Sequence, residues 1–118
     1  MIAGDDELRW EGGQAVVRMP VEIDVTNADE IRRTLRAAAH HGSAVLIIDM
    51  SATTFCDSAG LQAIIDAYNQ LDARNQGAAT PTQLRLVAIA VRRVIQLVGL
   101  DQLIPVYPSV EAALAERG

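Results

Sequence analysis

The residues best placed to do chemistry fall in one short segment. Phe55-Cys-Asp-Ser-Ala-Gly-Leu61 sets a thiol, a carboxylate and a hydroxyl side by side, directly before a run with helical apolar spacing. Asp57 and Ser58 are both residue types that cap helices, because their side-chain oxygens accept from backbone N–H groups left free in a first turn. Gly60 is costly in a first helical turn and implies close approach by another part of the chain. Nucleophilic catalysis is a poor fit for Ser58. A nucleophile elbow needs Gly two residues before its Ser, and Cys56 stands there. Cys56 beside Phe55 reads most simply as a small buried hydrophobe. The sharper reading, a redox sensor, requires an exposed thiol of lowered pKa. His40 and His41 are adjacent and so point in different directions, and no third ligand at metal spacing accompanies them; neither a metal nor any other cofactor is expected. A second polar group is Glu22 and Asp24, which alternate with apolar neighbours in Val21-Glu-Ile-Asp-Val25.

The flanking elements must position these groups. Glu7 to Glu11 and Gln14 to Met19 are two runs joined by Gly12-Gly13, a pair that permits positive φ at both positions of a tight hairpin. Residues 21–25 alternate as a strand with one wet face, carrying Glu22 and Asp24. Asn27 and Glu30 have the spacing of a capping box, and Ile31, Leu35 and Ala38 then recur at helical spacing up to a stop at Gly42. Val45-Leu-Ile-Ile48 is apolar without alternation, as in a strand covered on both faces, and Asp49 closes it. Leu61, Ile64, Ile65, Tyr68 and Leu71 mark an amphipathic helix ending near Arg74 and Gly77. A linker follows at 77–82, then a strand over Leu84 to Ala88. Val91, Val94, Ile95 and Val98 give another helix before Gly99. Leu103 to Tyr107 reads as a short edge strand containing Pro105, and Ser109 caps a last helix through Ala115. Trp10 is assigned to hairpin packing. Strands and helices alternate from residue 21 onward, which argues for an α/β layer, mixed because of the opening hairpin.

Composition bounds the function. The chain has 118 residues, half of them hydrophobic but only 3% aromatic, so aliphatic side chains build one core, and 1–118 forms a single domain whose first six residues are expected to be a flexible terminus. Every basic residue is Arg. The net charge is −5, and all of it belongs to residues 1–59, with ten acids against five Arg; residues 60–118 hold five of each. No basic stripe offsets that field, which argues against nucleic acid as a partner. One Cys excludes an internal disulfide, and the acidic start and short aliphatic runs suit neither a signal peptide nor membrane insertion. A cytoplasmic protein is expected.

The central segment resembles the signature of the STAS domain family, in its branch of bacterial anti-anti-sigma factors (anti-sigma factor antagonists). That signature is an aliphatic strand, Asp-Leu-Ser, a few residues, Phe, an apolar residue, then Asp-Ser-Ser/Thr-Gly-Leu. Here it reads Val45-Leu-Ile-Ile-Asp-Met-Ser51, then Phe55-Cys-Asp-Ser-Ala-Gly-Leu61. Glu22-Ile-Asp24 stands where the family tends to have Gly-Glu-Leu/Ile-Asp. Gly99-Leu100 resembles its late Gly-Leu pair, and Ser109-Val-Glu-Ala-Ala-Leu114 its C-terminal helix. The departures are Ala59 for a second hydroxyl, Val21 for Gly, Met50 for Leu, and Cys56 for an aliphatic residue.

The resemblance implies a STAS-like mixed β-sheet with an N-terminal hairpin and about four helices packed on it. It implies a non-enzymatic regulator of transcription: unphosphorylated, it binds an anti-sigma factor with serine kinase activity and releases a sigma factor. Phosphorylation of Ser58 ends that binding, and a serine phosphatase restores it. The contact surface is expected at Glu22, Asp24, Thr53, Thr54, Asp57, Ser58, Ala59, Gly60 and the exposed face of helix 60–74. The rival reading is a constitutive STAS binding module in a stress-signalling assembly or a lipid-transport complex, without kinase regulation.

Overall fold

The structure, a computed structural model, describes residues 8–116. The expected flexible terminus and the start of the first run at Glu7 lie outside them. The opening runs form the antiparallel hairpin β1 (Leu8–Glu11) and β2 (Gln14–Arg18), with Gly12 and Gly13 at φ of 57° and 84°. Positive φ at two successive positions is what Gly supplies without steric cost, so the Gly-Gly link sets the turn.

Two strands and a helix follow: β3 (Glu22–Ile23), α1 (Ala28–Ala39) and β4 (Val45–Met50). Next come β5 (Phe55–Cys56), α2 (Ser58–Asn75) and β6 (Gln83–Ala88). The chain ends with α3 (Arg92–Leu97), a 3₁₀ turn at Leu100–Gln102, β7 (Val106–Tyr107) and α4 (Val110–Ala115). The main sheet runs β1-β2-β4-β6-β7, antiparallel only at the hairpin, while β3 and β5 form a separate parallel pair. This is the expected mixed α/β sheet carrying four helices among the described residues.

Both faces of the sheet are covered, which is why β4 is buried throughout and shows no alternation. On one face, α1, α2 and α3 deliver Ile31, Leu35, Leu61, Ile64 and Ile95 onto Leu46, Ile48 and Leu86. On the other, α4 places Ala113 against Val16, Ile47 and Val87. Beneath α4 lies a fully buried charge: the Arg85 guanidinium bonds the Ala113 carbonyl and Gln83 Oε1 and has the Tyr107 ring 5.7 Å away. A neighbouring bond from Gln14 Nε2 to the Leu114 carbonyl, at 3.4 Å, fastens the same helix end.

Four local expectations are corrected. Residues 21–25 do not continue as a strand, because Asp24 Oδ1 turns back to accept from Thr26 N at 2.9 Å. Asn27 does not cap α1 with its side chain. Its Oδ1 accepts from Asp24 N and its Nδ2 donates to the Glu22 carbonyl, so the amide closes the turn instead of the helix end. The edge strand is only two residues long, with the Pro105 carbonyl accepting from Leu86 N. Of the apolar stripe on α3, Val91 and Ile95 are buried, but Val94 and Val98 face solvent. Trp10 is half-exposed, its ring edge-to-face with His41 at 5.4 Å.

Candidate functional site

The segment from Ser51 to Gly60 leaves the carboxyl end of β4 and enters α2, the place where open α/β sheets meet their ligands and partners. The β3–β5 pair is built beyond the ends of β2 and β4. Thr54 N donates to the Val21 carbonyl at 2.8 Å, and Asp57 N to the Ile23 carbonyl at 3.1 Å. Glu22 therefore lies beside Phe55, and Ile23 beside Cys56. Outward, Val21, Glu22, Val25, Thr54, Phe55 and Ser58 are exposed. Inward, Ile23 and Cys56 are buried.

Asp57 takes the cap of α2. Its Oδ1 accepts from Gly60 N at 3.0 Å, while its backbone carbonyl accepts from Leu61 N. Ser58 is thereby released from capping: it occupies the first helical position with its side chain in solvent. Of the two cap candidates in the sequence, the acid holds the helix and the hydroxyl is presented. The Gly60 position explains itself: a Cβ there would stand 2.5 Å from Ile23 Cγ2 and 2.8 Å from Cys56 Sγ. Real Cβ atoms do not approach so closely, so only Gly lets the first turn of α2 sit down on the β3–β5 pair.

Some expected surface residues turn out to be supports. Thr53 is fully buried and does not face a partner; its Oγ1 donates to the Pro20 carbonyl at 2.8 Å and ties the loop to the end of β2. Gly60 is likewise buried, and Ala59 half-buried. Asp24 is half-buried and accepts from Thr26; that hydrogen bond, side chain first and backbone next, holds its carboxyl below the ordinary range. Asp49 Oδ1 accepts from Ser51 N and shapes the exit from β4. Sequence reading missed that supporting role, since an Asp ending a strand looks the same whether it faces solvent or folds back.

Cys56 is buried, and burial, with the Asp57 charge second, pushes its thiol up to about 11. That is the environment of an inert structural cysteine and the opposite of what a redox sensor needs. The floor under the first turn of α2 at Gly60 is thus apolar, while Glu22, Asp24 and Asp57 supply acids around it. A helix N-terminus above such a floor favours an anion.

The face of α2 that runs away from Ser58 is fixed against α1. Arg32 Nε reaches Asp66 at 2.8 Å and its other arm reaches Asp29 at 2.7 Å, while Gln62 Nε2 donates to the second oxygen of Asp66 at 3.0 Å. No helix among the described residues is long and apolar enough to cross a membrane.

The comparisons agree with this geometry. A family model described as the STAS domain matches residues 7–113. An anti-sigma factor antagonist from Mycobacterium paratuberculosis is 31% identical, with 91% of this chain and 87% of that one covered and a TM-score of 0.79. The anti-sigma factor antagonist SpoIIAA in its unphosphorylated form is 25% identical, with 91% and 90% covered and a TM-score of 0.66. Its phosphorylated form, the Bacillus cell fate determinant SpoIIAA, is 22% identical over 91% and 94%, with a TM-score of 0.63. From the hairpin to the final helix, this chain belongs to the STAS domain family.

Proposed function

We propose that this chain is an anti-sigma factor antagonist regulated at Ser58. Unphosphorylated, it binds an anti-sigma factor that carries serine kinase activity and so frees a sigma factor for transcription; phosphorylated, it lets go. It acts in the cytoplasm as the substrate of ATP chemistry done by its partner, not as an enzyme, and a serine phosphatase resets it. The observation that carries this reading is the division of labour at the start of α2. Asp57 caps the helix, which leaves the Ser58 hydroxyl exposed on a fixed backbone.

The same geometry says what a phosphate would do. Roughly 1.5 to 2 negative charges would arrive beside free N–H groups and the positive end of an 18-residue helix, where an anion is tolerated. The domain should keep its fold, as a relative similar in both its unphosphorylated and phosphorylated forms does. The surface, in contrast, would change sharply, because those charges add to Glu22, Asp24 and Asp57. A partner shaped to a neutral hydroxyl would meet bulk, repulsion and a desolvation cost. Binding is switched while folding is not.

The test is phosphopeptide mass spectrometry after incubation with ATP and a lysate of the host, beside a Ser58→Ala control. A phosphate on Ser58 that is absent from the control supports the switch. An unmodified Ser58 on a protein that still binds a partner would replace it with a constitutive binding module.

A further inference from the structure

Two exposed apolar patches sit side by side at the carboxyl edge of the sheet, and their charges are opposite. The first is the outer side of the β3–β5 pair, where Val21, Val25 and Phe55 are 55%, 75% and 50% exposed around Glu22, with Asp24 and Asp57 half-buried behind them. The second is α3 and the turns around it. Ile89, Leu97 and Val98 are 59%, 73% and 55% exposed there, next to Arg92 and Arg93. Arg93 and Leu97 stand four positions apart in the helix and so share its outer side, opposite the buried Ile95. The inner side of the same helix, Val91 and Ile95, is already used in the core. Neither arginine has an acid partner among the described residues, where the ion pairs belong to Arg9 and Arg32.

The patches are neighbours because β4 and β6 are. Ala88 pairs with Met50 at the last rung of the ladder, so Ile89 leaves β6 alongside the loop that leads from β4 to Ser58. An edge that is acidic and apolar on one half, basic and apolar on the other, is complementary to a copy of itself turned by a two-fold rotation. We infer that a second copy of this chain covers this edge, in a symmetric dimer that sets α3 of each protomer against the β3–β5 pair of its partner. Each protomer then buries both patches and satisfies both arginines, and the contact closes without leaving a patch free for further growth.

The net charge of −5 opposes the association at long range. Salt screens that repulsion beyond about 8 Å at physiological ionic strength, whereas contacts between Glu22 and the arginines act well inside that distance. The dimer is therefore weak and in exchange with monomer, and it hides the surface around Ser58 while it lasts. The inference does not depend on Ser58 being a phosphoacceptor.

Sedimentation velocity on the full chain, up to about 1 mM, reads the association directly. The expected result is a concentration-dependent shift toward twice 12.7 kDa and no further. Leu97→Glu, on a side chain 73% exposed and so without a folding role, should raise the dissociation constant at least ~10-fold, equivalent to about 1.4 kcal/mol. Glu22→Arg alone and Arg93→Glu alone should each weaken the dimer, and the two changes in one chain should restore it to within ~3-fold, because the rotation pairs them again. A monomer at every concentration overturns the inference. So does a dimer indifferent to Leu97→Glu, a double variant no better than the singles, or a mass that climbs past the dimer. Phosphorylation of Ser58, measured separately on dilute monomer, is unaffected by any of these outcomes.

Discussion

The carboxyl edge and the rear face of the sheet each hold something a protein core normally avoids, and they hold it by different means. At the edge, a helix is seated so closely on a strand pair that no side chain fits between them at Gly60. At the rear, a guanidinium without an acid partner is fully buried under α4, bonded only to neutral oxygens. The edge is held by shape; the rear adds polarity, with Arg85 and Gln14 taking the carbonyls at the end of a helix only six residues long. The edge therefore stays rigid beneath a surface free to change its charge, while the rear anchors the end of the fold.

The largest effect is expected at the rear. Arg85→Ala removes a large buried side chain, leaves the Ala113 carbonyl without its partner and opens a cavity under α4, for a loss of about 3 kcal/mol in urea unfolding. Arg85→Met should cost about 1 kcal/mol, since it keeps much of the volume and removes a charge that is expensive to bury. If the two variants were equally destabilised, Arg85 would matter for its hydrogen bonds more than for its packing. Hydrogen exchange should place the damage in β7 and α4, with α2 protected as before.

Gly60→Ala comes next, at about 2 kcal/mol. In an open helix the change would stabilise by about 0.5 to 1 kcal/mol, so the sign itself is informative. The added methyl meets Ile23 and Cys56 at distances that force one of them to move. Combining it with Ile23→Ala should cost less than the sum of the single changes, because alanine lacks the Cγ2 methyl that the new Cβ would meet. Strict additivity would mean that the edge yields somewhere else, and that its fit is looser than the distances imply.

Asp57→Ala removes the cap from α2 and should cost about 1 kcal/mol in thermal or urea unfolding. It sharpens the contrast because Ser58→Ala, one residue away, should leave stability nearly unchanged. Ser58 makes its contribution at the surface, Asp57 beneath it. Equal losses from the two variants would show that the hydroxyl shares the capping role.

These residues also show how far the sequence could be read. The buried strand Val45–Met50, the long helix after Ser58 and the cap at Ser109 were legible, since aliphatic runs, helical spacing and capping chemistry are local signals. The close approach at Gly60 was legible as a need, but the partners Ile23 and Cys56 were not, because they arrive from other elements. Thr53 looked like surface for the same reason: its hydrogen bond to Pro20 spans 33 positions of sequence. Asn27 had the spacing of a cap, yet a competing turn at Asp24 took its amide. The α3 stripe misled most, since a 3.6-residue period says that a face is apolar and not which structure covers it. Arg85 gave no signal at all; a basic residue in a strand is ordinarily read as its wet side.

The smallest expected effect lies between the two regions, on the helix pair that spans the sheet. Hydrogen bonds from Gln62 and then Arg32 hold the Asp66 carboxyl below the ordinary range, so the folded chain binds that proton less readily than the unfolded one. The stabilisation is therefore present above the usual carboxylate pKa and is lost as pH falls through and below it. Asp66→Asn should lower stability at pH 7 by only a fraction of a kcal/mol, because the pair is partly exposed and screened. The informative quantity is the difference between wild type and variant, followed by urea unfolding from pH 7 down to about pH 3. It should shrink toward zero as the wild-type carboxylate becomes protonated and loses the charge the variant already lacks. A difference that stays constant across that range would mean that Asp66 joins α1 to α2 by packing and not by charge. The helix pair would then behave like the edge, held by shape.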